Sequence, residues 1–493
     1  MLVRMTPTRR SFLRNLLLST TGLVLADGML PAIAAIARGP QRFATGFGPL
    51  VPDPAGLLDL PAGFHYKLLS PGLLASQRKL GDRFQSKLSN GDPTPGLHDG
   101  MGAFAAPDGG TILVRNHEMN PGDGPAVDPA RVRPYDAKMS GGTTTLWVNR
   151  DGELVKSFAS LSGTSRNCAG GTTPWGTWLS AEEAVFIPGK PDGRNADLDE
   201  GAAQRHGYVF EVDARHEGLS EPVPIKAMGR FRHEAVAVDP VTGYAYLTED
   251  REDGLFYRYR PAALEGDRSP RTLRVGDYGK GGVLEALRVP SRPGLVAHNR
   301  AGVSLTPQGP GLAVDWVRIP NPDPDMDMEH PPGDPNGSRT AATATRAQGY
   351  ALGCTQFERS EGIAYARGSV YFCCTNGGPK ALGQVFRLDL RRQTLSLVVE
   401  PDEHAVLDGP DNLCVAASGD LVVCEDNLAR RENFVVGITP SGKSYRIARN
   451  AHASRRELAG ACFSADGRTL FVNVQEPGMT FAIRGPWEKR RDD

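Results

Sequence analysis

A chain of 493 residues with 40% apolar content can hold several ordinary domains or one large all-β unit, and its 58 Gly and 39 Pro favour turns over long helices. A formal net charge of -1, with acids and bases interspersed, excludes a basic footprint for nucleic acid. No zinc-finger spacing occurs either.

The N-terminus has an order of its own. Thr8-Arg9-Arg10-Ser11-Phe12-Leu13-Arg14 precedes an apolar run containing Leu16, Leu17, Leu18, Leu23, Val24 and Leu25, and Ala32, Ala34, Ala35 and Ala37 follow. A charged region, a short apolar region and small residues make an export signal. The paired arginines resemble the twin-arginine type, which addresses folded proteins to the export machinery. Residues 1–37 are therefore expected to be the signal and 38–490 the mature domain, periplasmic or extracellular. No later stretch approaches the ~18 apolar residues of a membrane span, so no stable membrane insertion is expected after processing.

Further along, one pattern recurs. An acidic residue opens a short apolar strand, a tight turn follows, and a second strand ends polar. The copies are DGMGAFAAPDGGTILVRNHE at 99–118, CAGGTTPWGTWLSAEE at 168–183, EAVAVDPVTGYAYLTED at 234–250, EGIAYARGSVYFCCTN at 361–376, DNLCVAASGDLVVCED at 411–426 and AGACFSADGRTLFVNVQ at 459–475. Turns such as Asp108-Gly109-Gly110 and Ser418-Gly419-Asp420 suit hairpins. Further strands follow most hairpins, as in Tyr208-Val209-Phe210 and Val385-Phe386-Arg387. About four strands per unit in six units predicts a six-bladed β-propeller, an all-β fold. Residues 262–350 break the repeat and read as an insertion, with a Pro- and Asp-rich loop from Pro320 to Gly337 and a short helix within Ala341 to Gly353. Composition favours a solvated connection over a calcium site in that loop.

Aligning the copies aligns their polar ends. The first position holds Asp99, Cys168, Glu234, Glu361 and Asp411, with Ala459 as the exception. About fifteen residues later stand Glu118, Glu182/Glu183, Glu249/Asp250, Thr375/Asn376, Glu425/Asp426 and Gln475. The start of one strand and the end of its antiparallel neighbour share a sheet edge, so both sets are expected to converge at one end of the propeller axis. Carboxylates gathered there repel one another unless cations intervene. Oxygen ligands suit Ca2+, whereas a thiolate among carboxylates suits a transition metal such as iron. His117 and His233 flank carboxylates and are expected to orient ligands rather than bind metal; Trp175 and Trp178 read as packing. Cys168 lies in a Gly-rich loop. Cys373 and Cys374, adjacent in a strand, point to opposite faces and are not expected to be core-facing together.

Several motifs carry a family resemblance. Cys168-Ala169-Gly170-Gly171-Thr172-Thr173-Pro174-Trp175-Gly176-Thr177 with Glu182-Glu183 resembles the signature of the PhoX-type secreted alkaline phosphatases. So do Arg230-Phe231-Arg232-His233-Glu234 with Thr248-Glu249-Asp250, Arg359-Ser360-Glu361-Gly362, Pro410-Asp411-Asn412 with Cys424-Glu425-Asp426, and Phe463 to Gly478 with Gly485-Pro486-Trp487. The likeness runs from about Pro49 to Trp487. It implies a metal-dependent phosphatase that hydrolyses small phosphate monoesters with an axial Fe(III)–Ca2+ cluster, expected as a monomer. The resemblance implies Cys168, Glu183, Glu234 and Glu361 as iron ligands, calcium shared among carboxylates such as Glu249, Asp250, Asp411, Glu425 and Asp426, and Glu182 as a further metal candidate. Arg359 is the implied phosphate-binding group, since a guanidinium offers a planar pair of donors. No Gly-x-Ser-x-Gly elbow suggests a serine nucleophile. The competing readings are another calcium-dependent propeller hydrolase (phosphodiesterase, phytase or lactonase) and a non-catalytic, metal-stabilised binding propeller. A thiolate ligand has no use in a calcium-only hydrolase, so Cys168 discriminates against the first of these.

Overall fold

Short runs of β-branched and aromatic residues closed by Gly-containing turns fold as antiparallel strands, and six such groups are arranged as the blades of a propeller. The computed structural model describes residues 43–491 apart from 75–84, 125–126, 128–133, 189–200, 267, 301, 303, 330–338, 428 and 431; the expected signal at 1–37 lies outside the described residues. The innermost strands, in chain order, are His98–Ala105, Asn167–Thr172, His233–Val238, Ser360–Ala366, Pro410–Val415 and Leu458–Phe463. Each packs against the next, and the last against the first, so the ring is closed. Neighbouring inner strands approach closely: a Cβ on Gly100 would lie 2.4 Å from the Ala169 Cα.

Blade 1 has four strands (His98–Ala105, Thr111–His117, Gly141–Val148 and Leu154–Thr164), and blade 2 has three among the described residues (Asn167–Thr172, Thr177–Glu182 and Val209–Asp213). Strands from before the repeat complete the last two blades. His65–Leu69 pairs with Met479–Arg484 as the outer strand of blade 6, and Leu58–Pro61 pairs with Ser444–Asn450 in blade 5. Strands from near residue 60 and from the last hairpins are thereby joined within single sheets. Apolar clusters fill the spaces between blades, so a blade is covered on both faces. That is why Cys373 and Cys374 are both buried, against the expectation for adjacent strand residues. Cys373 faces the core toward blade 5 and Cys374 the core toward blade 3. All seven cysteines are free thiols.

Residues 262–350 are more integrated than an insertion. Gly282–Arg288 is the fourth strand of blade 3, Asp315–Arg318 pairs outside it, and Leu312–Ala313 adds to the edge of blade 4. Outer strands carry no axial residues and therefore lack the acidic opening that marks the repeat. Their identity lies in edge ion pairs instead, Arg258 with Glu285 and Arg288 with Asp315, each at 2.6 Å. The helix within this stretch spans Thr345–Ala351.

Candidate metal centre

The site is built by one local device repeated in every blade. Pairing of the innermost strand with its neighbour slips near the strand start, between His98/Met101, Asn167/Gly170, His233/Val236, Ser360/Ile363, Pro410/Leu413 and Ala459/Cys462. Such a bulge re-aims side chains. The unpaired stretch includes Asp99, Cys168, Glu234, Glu361 and Asp411 in blades 1 to 5. A second constant feature closes the loop. The amide of the residue just past the second strand donates to the carbonyl two residues before the bulge residue, at 2.8–3.3 Å: Glu118 to Leu97, Glu183 to Arg166, Asp250 to Arg232, Thr375 to Arg359, Asp426 to Gly409 and Gln475 to Glu457. Leu97, Arg166, Arg359 and Gly409 adopt positive φ of 46–62° to make this turn. Leu97, Arg166 and Arg359 adopt it without glycine's freedom, so the entrances of blades 1, 2 and 4 carry backbone strain.

These loops bring a thiol and many carboxylates together at one end of the axis. Ligand atoms of Asp99, Glu118 and Cys168 lie within 4.8 Å of one another, as do those of Glu234, Glu361 and Asp411. Burial, with Glu361, Asp411, Asp99 and Glu183 facing it, pushes the Glu234 carboxyl well above the usual carboxylate range. Burial and like charge do the same to Asp99, Glu183, Glu361 and Asp411. The Cys168 thiol, 3.8 Å from Asp99 Oδ2, is raised by burial and then by Asp99, Glu234, Glu118 and Glu183. This acidic setting opposes a thiolate; a bound cation would stabilise one. Cys168 lies not in a loop, as the glycines suggested, but at the bulge within the strand Asn167–Thr172, which is held firmly because Asn116 donates to the Cys168 and Ala169 carbonyls and accepts from Trp178 Nε1 and Ser180.

Two arginines sit at the accessible rim, with side chains 20% (Arg166) and 24% (Arg359) exposed. Arg359 donates through Nε and Nη2 to the two oxygens of Asp250, at 2.9 and 3.2 Å, and from Nη2 to Glu361 at 2.7 Å. Arg166 occupies the equivalent position in blade 2 and bridges Glu118 and Glu183, each at 2.6 Å. Arg232, fully buried, pairs with Glu183 at 3.2 Å. A cleft of about 1590 Å³ lies among hairpin turns at the other end of the blades and is lined by none of these residues.

Of the sequence-predicted residues, the structure brings Cys168, Glu183, Glu234, Asp250, Glu361, Asp411, Asp426 and Arg359 to this end of the axis. Glu182, Glu249 and Glu425 are the last residues of their strands, one before the loop residue, and are turned into the blades. Glu182 accepts from the amides of Ser165, Gly207 and Tyr208 and from His206 at 2.7 Å. Glu249 accepts from the Leu255 amide, Tyr257 and Arg346; Glu425 from the Asp408 and Phe434 amides and Arg446. Strand alternation supplies the reason: adjacent residues face opposite ways. His117 is engaged by Gly96 and Thr144, His233 by Gly229, and Trp175 by Glu211. Asp99 and Glu118 stand in the sequence register yet outside the metal residues drawn from it, and Glu457 carries no sequence signal of its own. The acidic repeat has Ala459 in blade 6, and Glu457, two residues earlier, supplies the charge instead; burial and then Asp426 push its carboxyl up.

The residues present fit bound cations. Both carboxylate oxygens of the fully buried Glu234, Oδ1 of Asp99 and Oδ1 of Asp426 have no hydrogen-bond donor among the described residues. A buried carboxylate without partners is costly, and hard oxygens plus one sulfur form a donor set suited to calcium together with a softer metal.

A family model described as alkaline phosphatase PhoX matches residues 45–478. Among solved structures, PhoX of Pseudomonas fluorescens in complex with vanadate, a transition state analogue, is similar at 19% identity and a TM-score of 0.62, covering 87% of this chain and 96% of that chain. A gluconolactonase of Xanthomonas campestris aligns at 13% identity and a TM-score of 0.34 over 89% of this chain and 98% of that one. No curated protein matches.

Proposed function

The chain belongs to the PhoX family of alkaline phosphatases and is a phosphatase; from that premise we propose that it is exported and hydrolyses small phosphate monoesters with an iron–calcium cluster held by the axial ring. The observation that carries the reading is the set of buried carboxylate oxygens without donors around Cys168 and Glu234. Cys168, Glu183, Glu234 and Glu361 would hold iron, while Asp250, Asp411 and Asp426 would share calcium, with Asp99, Glu118 and Glu457 completing the ring. Bound cations supply charge neutralisation and Lewis acidity toward phosphoryl oxygens and water.

The chain's own residues do the rest. A monoester is an anion whose transfer needs positioning and charge stabilisation, and the guanidinium of Arg359, anchored through Nε and Nη2 by Asp250 and Glu361, would meet it with its remaining donors at the partly exposed rim. Asp250 holds the guanidinium in one plane, which limits the entropy lost when a phosphate docks. The paired arginines at the N-terminus support export by the twin-arginine route. No helix among the described residues is long and apolar enough to cross a membrane.

The test is metal analysis of untagged wild-type and Cys168→Ser protein, with p-nitrophenyl phosphate turnover followed across pH. Iron and calcium with turnover in the wild type, and iron lost in the variant, are expected. Calcium alone, or iron without turnover, overturns the proposal.

A further inference from the structure

The helix Thr345–Ala351 and the acidic stretch before it lie outside the repeat, yet they reach the ring through one buried ion network. Arg346 is fully buried. Its Nη1 donates to Glu249 Oε1 at 3.1 Å and to Asp327 Oδ1, while Nε pairs with Asp253 at 3.2 Å. Asp327 Oδ2 in turn accepts from Arg251 Nη2 at 2.6 Å. Glu249 and Arg251 are the two sequence neighbours of Asp250, so the pair Arg346–Asp327 grips the chain on both sides of it. The same segment holds Arg359 twice: the Arg251 carbonyl accepts the Arg359 amide at 2.7 Å, and Asp250 receives the guanidinium fork.

We infer that Arg346, acting with Asp327, is a positioning residue that fixes the phosphate-binding guanidinium of Arg359 through Glu249, Asp250 and Arg251; the inference rests on the role proposed above for Arg359. A network of this kind is a poor way to gain stability alone, because well-packed apolar residues serve as well as a buried ion pair. It is a good way to specify geometry. The outcome is one rigid unit spanning the helix, the exit of the second strand of blade 3 and the entrance to blade 4. Asp327 stays ionised within it: burial opposes the charge, but Arg346 and Arg251 hold its carboxyl down to about 2.

The experiment compares metal-loaded wild type with Arg346→Met, Arg346→Lys, Asp327→Asn, Arg359→Lys and the double variant Arg346→Met/Arg359→Lys. Turnover of p-nitrophenyl phosphate gives kcat and KM, and calorimetry with orthovanadate gives phosphate-analogue affinity independently of turnover. A loosened fork predicts that Arg346→Met raises KM and weakens vanadate binding by about tenfold or more, with bound metal unchanged and partial recovery in Arg346→Lys. The double variant is expected to lose less than the product of the single losses, because both act on one group. Unchanged KM and vanadate affinity with only a lower melting temperature would overturn the inference, as would full multiplicativity. Should Arg346→Met fail to fold, Asp327→Asn is measured in its place: weaker vanadate binding with metal retained supports the inference, and unchanged binding overturns it. A wild type that binds vanadate through Arg346-dependent contacts yet turns over no monoester would refute the phosphatase mechanism and uphold the clamp.

Discussion

At the scale of single residues, Arg359 illustrates how one side chain can be read from several constraints. Its backbone is in the left-handed region at φ 50°, its amide and carbonyl are both engaged, and its guanidinium lies between Asp250 and Glu361 at the accessible rim. Arginine is the one cation whose fixed fork can satisfy a carboxylate and still present donors outward. Arg359→Lys keeps the charge and loses the plane. It should lower kcat/KM by about tenfold or more, roughly 1.4 kcal/mol of transition-state stabilisation, while the protein still folds and binds its metals. Steady-state kinetics beside metal analysis checks this; near-full turnover would remove Arg359 from the phosphate site.

At the scale of the element, the blade's second strand separates two glutamates that sequence alone leaves side by side. Glu182 ends the strand and faces into blade 2, where three amides and His206 saturate it; Glu183 follows it and faces the axis. Glu182→Gln would set an amide N–H against donors and should cost about 3 kcal/mol, with metal content retained. Glu183→Gln should differ by losing metal, along with the stability lost where Arg166 and buried Arg232 are left without their partner. Thermal melting and metal analysis of the two variants separate them, and metal loss in both would return Glu182 to the cluster. The same geometry explains what is legible in the sequence. Asp99, Cys168, Glu234, Glu361 and Asp411 recur at one repeat position, so their convergence can be read from spacing and hairpin logic. The exit position is harder. Glu182/Glu183, Glu249/Asp250 and Glu425/Asp426 are adjacent acid pairs, and only the strand's last hydrogen-bonded residue decides which member is turned inward. Glu457 is hidden because blade 6 shifts its carboxylate two residues ahead of Ala459. Arg346 and Asp327 are illegible for another reason: no periodicity links a helix in a break of the repeat to a strand nearly a hundred residues earlier.

At the scale of the whole molecule, the ring makes stability depend on cations and on pH together. Without metal, the carboxyls of Asp99, Glu183, Glu234, Glu361 and Asp411 are raised in the folded protein by burial and mutual repulsion. A carboxyl raised on folding binds its proton more tightly in the native state. Its contribution is therefore fully present below the unfolded value, about 4, and is lost as pH rises through the folded value. His206 works in the same direction: although burial opposes its charge, Glu182 and Asp136 raise it to about 9, so its support is whole below about 6.5 and fades through 9. Asp136 and Asp327, held near 2, lose their contribution only under more acidic conditions. Chelated protein should thus melt higher at pH 5.5 than at pH 8. Calcium cannot restore the His206 share, but it can neutralise the ring. The gap between calcium-loaded and chelated protein should accordingly widen with pH, by roughly 5 °C or more between pH 5.5 and 8, since several like charges buried together cost a few kcal/mol. Melting curves at matched ionic strength measure that gap directly. A gap that stays constant or narrows would mean that the acidic ring is not where the cations bind.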